Sequence, residues 1–91
     1  MKYTVKYTSQ FKRGLKQAQK RGKDIEKLFS VIELLANDKV LPEVYREHTL
    51  SGNYAGCHEC HIENDWLLVY EFFDDVMVLS LTALGTHSDL F

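Results

Sequence analysis

The chain has 91 residues with a formal net charge of −2. Domains commonly run to about 100–150 residues, so residues 1–91 are read as one domain. Its 45% hydrophobic and 26% charged residues, five glycines and one proline exclude collagen-like and extended disordered chains. No apolar run approaches the roughly 20 residues a membrane-spanning helix needs, and residues 1–7 offer no apolar core of a secretory signal, so a cytoplasmic protein without membrane contact is expected. The charge is segregated. Residues 1–30 hold nine Lys/Arg against two acids, a net +7, and residues 31–91 hold two against eleven, a net −9. Such a positive block is either an electrostatic footprint for phosphate or a solvated helix face balanced elsewhere.

Lys2 to Tyr7 alternates apolar and polar residues with Tyr3, Val5 and Tyr7 on one side, the period of a first strand. Thr8 or Ser9 then caps a helix whose apolar stripe is Phe11, Leu15 and Ala18, with Gly22 as its C-terminal stop. Asp24 caps a second helix with a buried face of Ile25, Leu28, Phe29, Ile32 and Leu35, widened by Val31 and Leu34 and ended by Asn37-Asp38-Lys39. Residues 40–52, with Pro42, read as an irregular loop, long enough to suggest function. Strands follow over 54–62, 66–73 and 76–82, joined by turn-like Asn64-Asp65 and Asp74-Asp75. The order β-α-α-β-β-β predicts an α+β domain: an antiparallel sheet with two helices on one face and the other face free for binding.

All four histidines, His48, His61, His87 and His58, lie in the last 44 residues. Histidine suits proton transfer near neutral pH. His61 and Asp65 flank a strand junction, where a rigid scaffold presents reactive groups. Cys57-His58-Glu59-Cys60-His61 satisfies the C-x-x-C-H pattern of haem attachment. The pattern falls on a strand, without the turn a zinc knuckle uses or the helix N-terminus a redox pair uses. Two reduced thiols on opposite faces are expected, with no haem and no metal. Trp66 and Phe91 are read either as core and plug or as stacking platforms for bases.

Four segments carry a resemblance: Ala18-Gln19-Lys20-Arg21; Tyr45-x-x-His48-x-Leu50-x-Gly52; Gly56-x-x-x-Cys60-His61-Ile62-x-x-Asp65-Trp66-Leu67-Leu68-Val69-Tyr70; and Gly85-Thr86-His87-Ser88-Asp89-Leu90-Phe91. In this order and spacing the chain resembles the RelE/YafQ family of type II toxin–antitoxin toxins, in its YafQ branch. The resemblance implies a RelE-like fold and a ribosome-dependent mRNA interferase, a small endoribonuclease that inhibits translation by cutting mRNA in the ribosomal A site. It implies a cognate antitoxin that neutralises the toxin and mediates any operator DNA binding, and no cofactor. His48, His61, Asp65 and His87 fall on the family's catalytic positions, Trp66 and Phe91 on positions associated with the active site. The implied chemistry is metal-free, with the ribose 2′-hydroxyl as nucleophile, His61 with Asp65 on the base side, His87 as acid and His48 on the phosphate or sharing a proton. Lys12, Arg13, Lys16 and Lys20 on the first helix are expected to contact RNA phosphates. The branch carries arginine where this chain has Ala83 and His58. Loss of a phosphate clamp implies weakened activity, with Arg46 as its replacement, or a toxin-like protein acting mainly through antitoxin binding and operon control.

Overall fold

Five consecutive buried residues, Trp66-Leu67-Leu68-Val69-Tyr70, make one strand the centre of the molecule, because a strand buried on both faces must be flanked and covered. The computed structural model describes residues 1–91. Its elements are β1 (Thr4–Tyr7), α1 (Ser9–Lys20), α2 (Ile25–Ala36), β2 (His48–Thr49), β3 (His58–Glu63), β4 (Trp66–Phe73), β5 (Val78–Gly85) and a single turn, α3 (His87–Leu90). They form one sheet in the order β1-β5-β4-β3-β2.

The expected antiparallel meander is present as β3-β4-β5, although its first strand begins at His58 and not at residue 54, where Gly52–Tyr54 form a 3₁₀ turn, and its last spans Val78–Gly85 in place of the predicted 76–82. The sheet as a whole is mixed: β1 pairs with β5 in parallel, Thr4 opposite Val78 to Tyr7 opposite Leu81. Alternation along a strand encodes which face is buried but not which neighbour it finds, and two helices separate β1 from the meander. Residues 40–52, read as irregular, contain a one-turn 3₁₀ segment at Glu43–Tyr45 and the two-residue β2, which adds to the edge of β3 with His48 opposite Glu59.

Both helix starts follow the sequence reading. The Thr8 side chain accepts from the Phe11 N–H and the Asp24 side chain from the Lys27 N–H, satisfying donors that the first turn leaves without partners. The helices cover one face of the sheet, where Phe11, Ala18, Leu28, Val31, Ile32 and Leu35 meet Cys60, Ile62, Trp66, Leu68, Tyr70, Leu79, Leu81 and Leu84. Phe29, expected in that core, is 40% exposed, and Val31 is fully buried instead. The stripe of α2 is rotated towards Val31 because β1 sits at the sheet edge and leaves the flank beneath Phe29 open. On the opposite face Cys57, Val69 and Ala83 form a smaller cluster beneath Leu50, Tyr54 and Leu90. The two cysteines thus lie on opposite faces, both as free thiols.

Helix α1 lies close enough to β5 that a Cβ on Gly14 would stand 2.1 Å from the Leu84 carbonyl oxygen. Glycine in a helix interior costs about 1 kcal/mol relative to alanine, so close packing is what justifies it here. Gly14→Ala should therefore lower the urea midpoint despite its better helix propensity; a midpoint at or above the parent's would show that α1 can lift from the sheet without cost.

Candidate active site

The meander reverses direction twice, so the end of β3, the start of β4 and the end of β5 share one end of the sheet. His61 pairs across to Leu67, and Leu67 to Gly85. Residues two apart on a strand face the same way, so Glu59 and His61 share the face of Val69 and Ala83, away from the helix-side core. His48 joins them because its strand partner is Glu59. His87 follows β5 on the first turn of α3.

The rings line up at this end. Centroids of His48 and His61 are 6.2 Å apart, His61 and His87 5.9 Å, and His87 and Phe91 6.4 Å. Asp65 partners His87, not His61 as the sequence suggested: its Oδ1 accepts from the His87 Nδ1–H at 2.7 Å and from the His87 backbone N–H at 3.0 Å. Four residues of chain separation made His61 the nearer candidate for Asp65. The tight turn after β3 instead aims the carboxylate across the strand ends to α3, and the His61 Nδ1 faces the Asn64 carbonyl at 3.4 Å. The hydrogen bonds from the His87 backbone and ring hold the Asp65 carboxyl below its ordinary range.

A residue absent from the sequence-derived set sits in the middle. Glu59 is 3% exposed, with Oε1 3.2 Å from His48 Nε2 and 3.6 Å from His61 Nε2. Its signal was available in the sequence: an acid inside a buried strand, two residues before a histidine, where a charge needs partners. Cations also approach from α2, from the residue before its cap and from the loop after Glu43–Tyr45. Lys27 and Arg46 line a pocket of about 260 Å³ together with His61 and Asn64, and Lys23 lies near enough to help hold down the Asp65 carboxyl.

The remaining predicted residues divide. Phe91 is 63% exposed and lies edge-on to Tyr54 at 5.5 Å, so its ring is open beside His87. Trp66 is 1% exposed in the helix-side core and offers no face to a base: its strand position points it away from the site. Lys12, Arg13, Lys16 and Lys20 are exposed on α1 and make no ion pair, whereas the adjacent Arg21 binds Asp89 at 2.9 Å. Ala83 is fully buried beneath Leu50, Tyr54 and Leu90. His58 lies outside the histidine line, stacked on Tyr70 and 2.7 Å from Glu47.

A sequence profile described as "Bacterial toxin of type II toxin-antitoxin system, YafQ" matches residues 3–91. Over 88 residues, 96% of this chain and 94% of the relative, the sequence is 40% identical to the mRNA interferase toxin YafQ of Escherichia coli K12. Among solved structures, the toxin in the E. coli DinJ–YafQ complex superposes with a TM-score of 0.89 at 39% identity, over 98% of each chain. A metal-bound toxin from Helicobacter pylori superposes with a TM-score of 0.92 at 36% identity, over 98% of this chain and 99% of the other.

The α3 turn that carries His87 is anchored by Asp89, which closes a capping box with Thr86 and is held down to about 2 by the Arg21 guanidinium. A carboxyl lowered from its ordinary 3.8 contributes stability above that value and loses it as pH falls towards 2. Arg21→Gln should flatten the loss of stability between about pH 4 and 2, read as urea midpoints at pH 5 and pH 2.5; an unchanged difference between the two midpoints would show that the pair does not anchor α3.

Proposed function

The chain belongs to the YafQ family of type II toxin–antitoxin toxins, and from that membership we propose that it is an mRNA interferase, an endoribonuclease that cuts mRNA on the ribosome by metal-free acid–base chemistry. The observation that carries the reading is the line of His48, His61 and His87 at one end of the sheet, with a carboxylate partner for each end of the line. His61, beside Glu59, takes the proton of the ribose 2′-hydroxyl as that oxygen attacks the adjacent phosphate. His87 protonates the departing 5′-oxygen, and Asp65 holds its Nδ1–H so that Nε2 points outward and the charged ring is stabilised. His48, Arg46 and Lys27 surround the charge that grows on the phosphate, and Phe91 offers an open ring to a neighbouring base.

The E. coli relative is named in complex with DinJ, which supports a small antitoxin as the cognate partner here, with operator DNA reached only through that complex. The ribosome is the second partner, met by the unpaired cations of α1. No helix is long and apolar enough to cross a membrane, and we keep the reading of a cytoplasmic protein.

A second reading, an attenuated toxin acting mainly through antitoxin binding and operon control, is favoured by one feature: the apolar cluster around Ala83 stands where the branch carries arginine. Expression with the antitoxin withheld separates the two, growth arrest supporting the nuclease and normal growth the attenuated form. On programmed ribosomes, His87→Ala should lower the cleavage rate by about 10²–10⁴-fold and leave antitoxin binding unchanged, since it removes a proton donor and no core volume; cleavage at the parent's rate would remove His87 from the mechanism. Replacing Lys12, Arg13, Lys16 and Lys20 together by Gln should weaken ribosome association and flatten its salt dependence, because up to four fewer counterions are released. An unaltered salt slope would make α1 a merely solvated face.

A further inference from the structure

Arg46 and His48 reach the site on a loop with few backbone ties to the sheet. Over residues 40–47 the backbone hydrogen bonds stay inside the loop, from the Tyr45 N–H to the Pro42 carbonyl and from the Arg46 N–H to the Glu43 carbonyl. Arg46 holds φ 51° and ψ 48°, a left-handed conformation that a residue with a Cβ adopts at a cost and keeps only where its surroundings enforce it. The turn from Pro42 to Tyr45 fixes one flank of Arg46. The other flank is Glu47.

Glu47 and His48 are consecutive where the chain enters β2, and their side chains leave on opposite faces. His48 meets Glu59 at 3.2 Å on the site face. Glu47 passes to the helix side, where its Oε1 accepts from the His58 Nδ1–H at 2.7 Å. Asp38, the other carboxylate bordering the hollow around His58, is taken by Lys2 at 2.6 Å, and Lys39 on the same rim offers no acceptor. The His58 ring is itself fixed. It lies stacked on Tyr70, with 5.5 Å between centroids and 14° between planes, and edge-on to Phe72 at 5.9 Å. Tyr70 belongs to the buried core face of β4. A line of contacts thus runs from the centre of the sheet through Tyr70, His58 and Glu47 to Arg46 and His48.

We propose that Glu47 and His58 are positioning residues of the cleavage site: the pair fastens the loop to β4 and so holds the Arg46 guanidinium and the His48 ring in place for the phosphate. Neither touches the substrate, and the proposal rests on the nuclease reading above. Stability alone does not account for the pair. Its side chains are 39% and 32% exposed, and ion pairs open to water contribute little to folding. Misplacing a catalytic group by about 1 Å, by contrast, can cost about 10²-fold in rate.

On programmed ribosomes, Glu47→Ala and His58→Leu should each lower kcat by at least about tenfold and change KM by less than about threefold, because the groups they release act on the transition state. The double variant should be no slower than the slower single variant, since loss of one partner already frees the loop. His58→Arg should return the rate to within about threefold of the parent's, because a guanidinium both stacks on an aromatic ring and meets a carboxylate. Urea midpoints of all these variants should stay near the parent's. Without RNA, the His48 ring resonances, which report its contact with Glu59, should shift in Glu47→Ala and His58→Leu and return in His58→Arg. A parent-like rate in Glu47→Ala, rate losses matched by losses in the urea midpoint, or a loss that His58→Arg leaves in place would each overturn the proposal. If His58→Leu fails to fold, Glu47→Ala, which removes only part-exposed atoms of the loop, decides the matter. A parent that cuts nothing counts against the nuclease; the His48 resonances then decide the positioning by themselves, and unmoved signals in Glu47→Ala overturn it.

Discussion

The burial of β4 on both faces is the constraint on which the rest depends. Leu68 and Tyr70 face the helices, Val69 faces the smaller cluster, and all three are inaccessible to water. Truncating one such side chain typically costs about 2–5 kcal/mol against a total stability of roughly 5–15 kcal/mol, so the strand cannot be displaced while the domain stays folded. Its two neighbours are joined to it by short turns and must run antiparallel. That double reversal collects the residues after β3, before β4 and after β5 at one end of the sheet. The side chains gathered there inherit their geometry from hydrocarbon packing on both faces of β4.

The two faces of the sheet are built to different rules. On the helix side the packing is close enough to exclude even a methyl group at position 14. On the other side a cluster of three small or branched residues stops short of the strand ends and leaves a polar corner. A carboxylate buried to the extent of Glu59 is costly unless charged or donor groups meet it, and here His48 and His61 face it. That dependence makes β2, two residues long and at the sheet edge, important beyond its size. The loop that delivers it is tethered a second time, through Glu47 to His58 on the neighbouring strand.

The segregated charge acquires a spatial meaning. The acids at the site end are engaged: Glu59 by two histidines, Asp65 by His87 and Asp89 by Arg21. The cations of α1 are left unpaired, and Lys23, Lys27 and Arg46 border the site. A chain with a net charge of −2 thus carries unpaired cations on α1 and beside the histidines, a grouping that its overall charge does not reveal.

Local chemistry was legible in the sequence. Period-two alternation, helix stripes and capping side chains specify β1, both long helices and the meander, because each acts within a few residues along the chain. The four segments that carry the resemblance also held the family, since motif order and spacing survive without coordinates. What local signals did not contain was pairing across distance. The parallel partner of β1, the exposure of Phe29, the loss of Trp66 to the core and the transfer of Asp65 from His61 to His87 depend on which surfaces meet after the helices fold back. Glu59 was passed over for the same reason: its neighbours along the strand gave no sign that β2 would place His48 directly opposite. Sequence alone determined the elements and the inventory of reactive groups; the register of strands brought together from distant parts of the chain decided which of those groups touch.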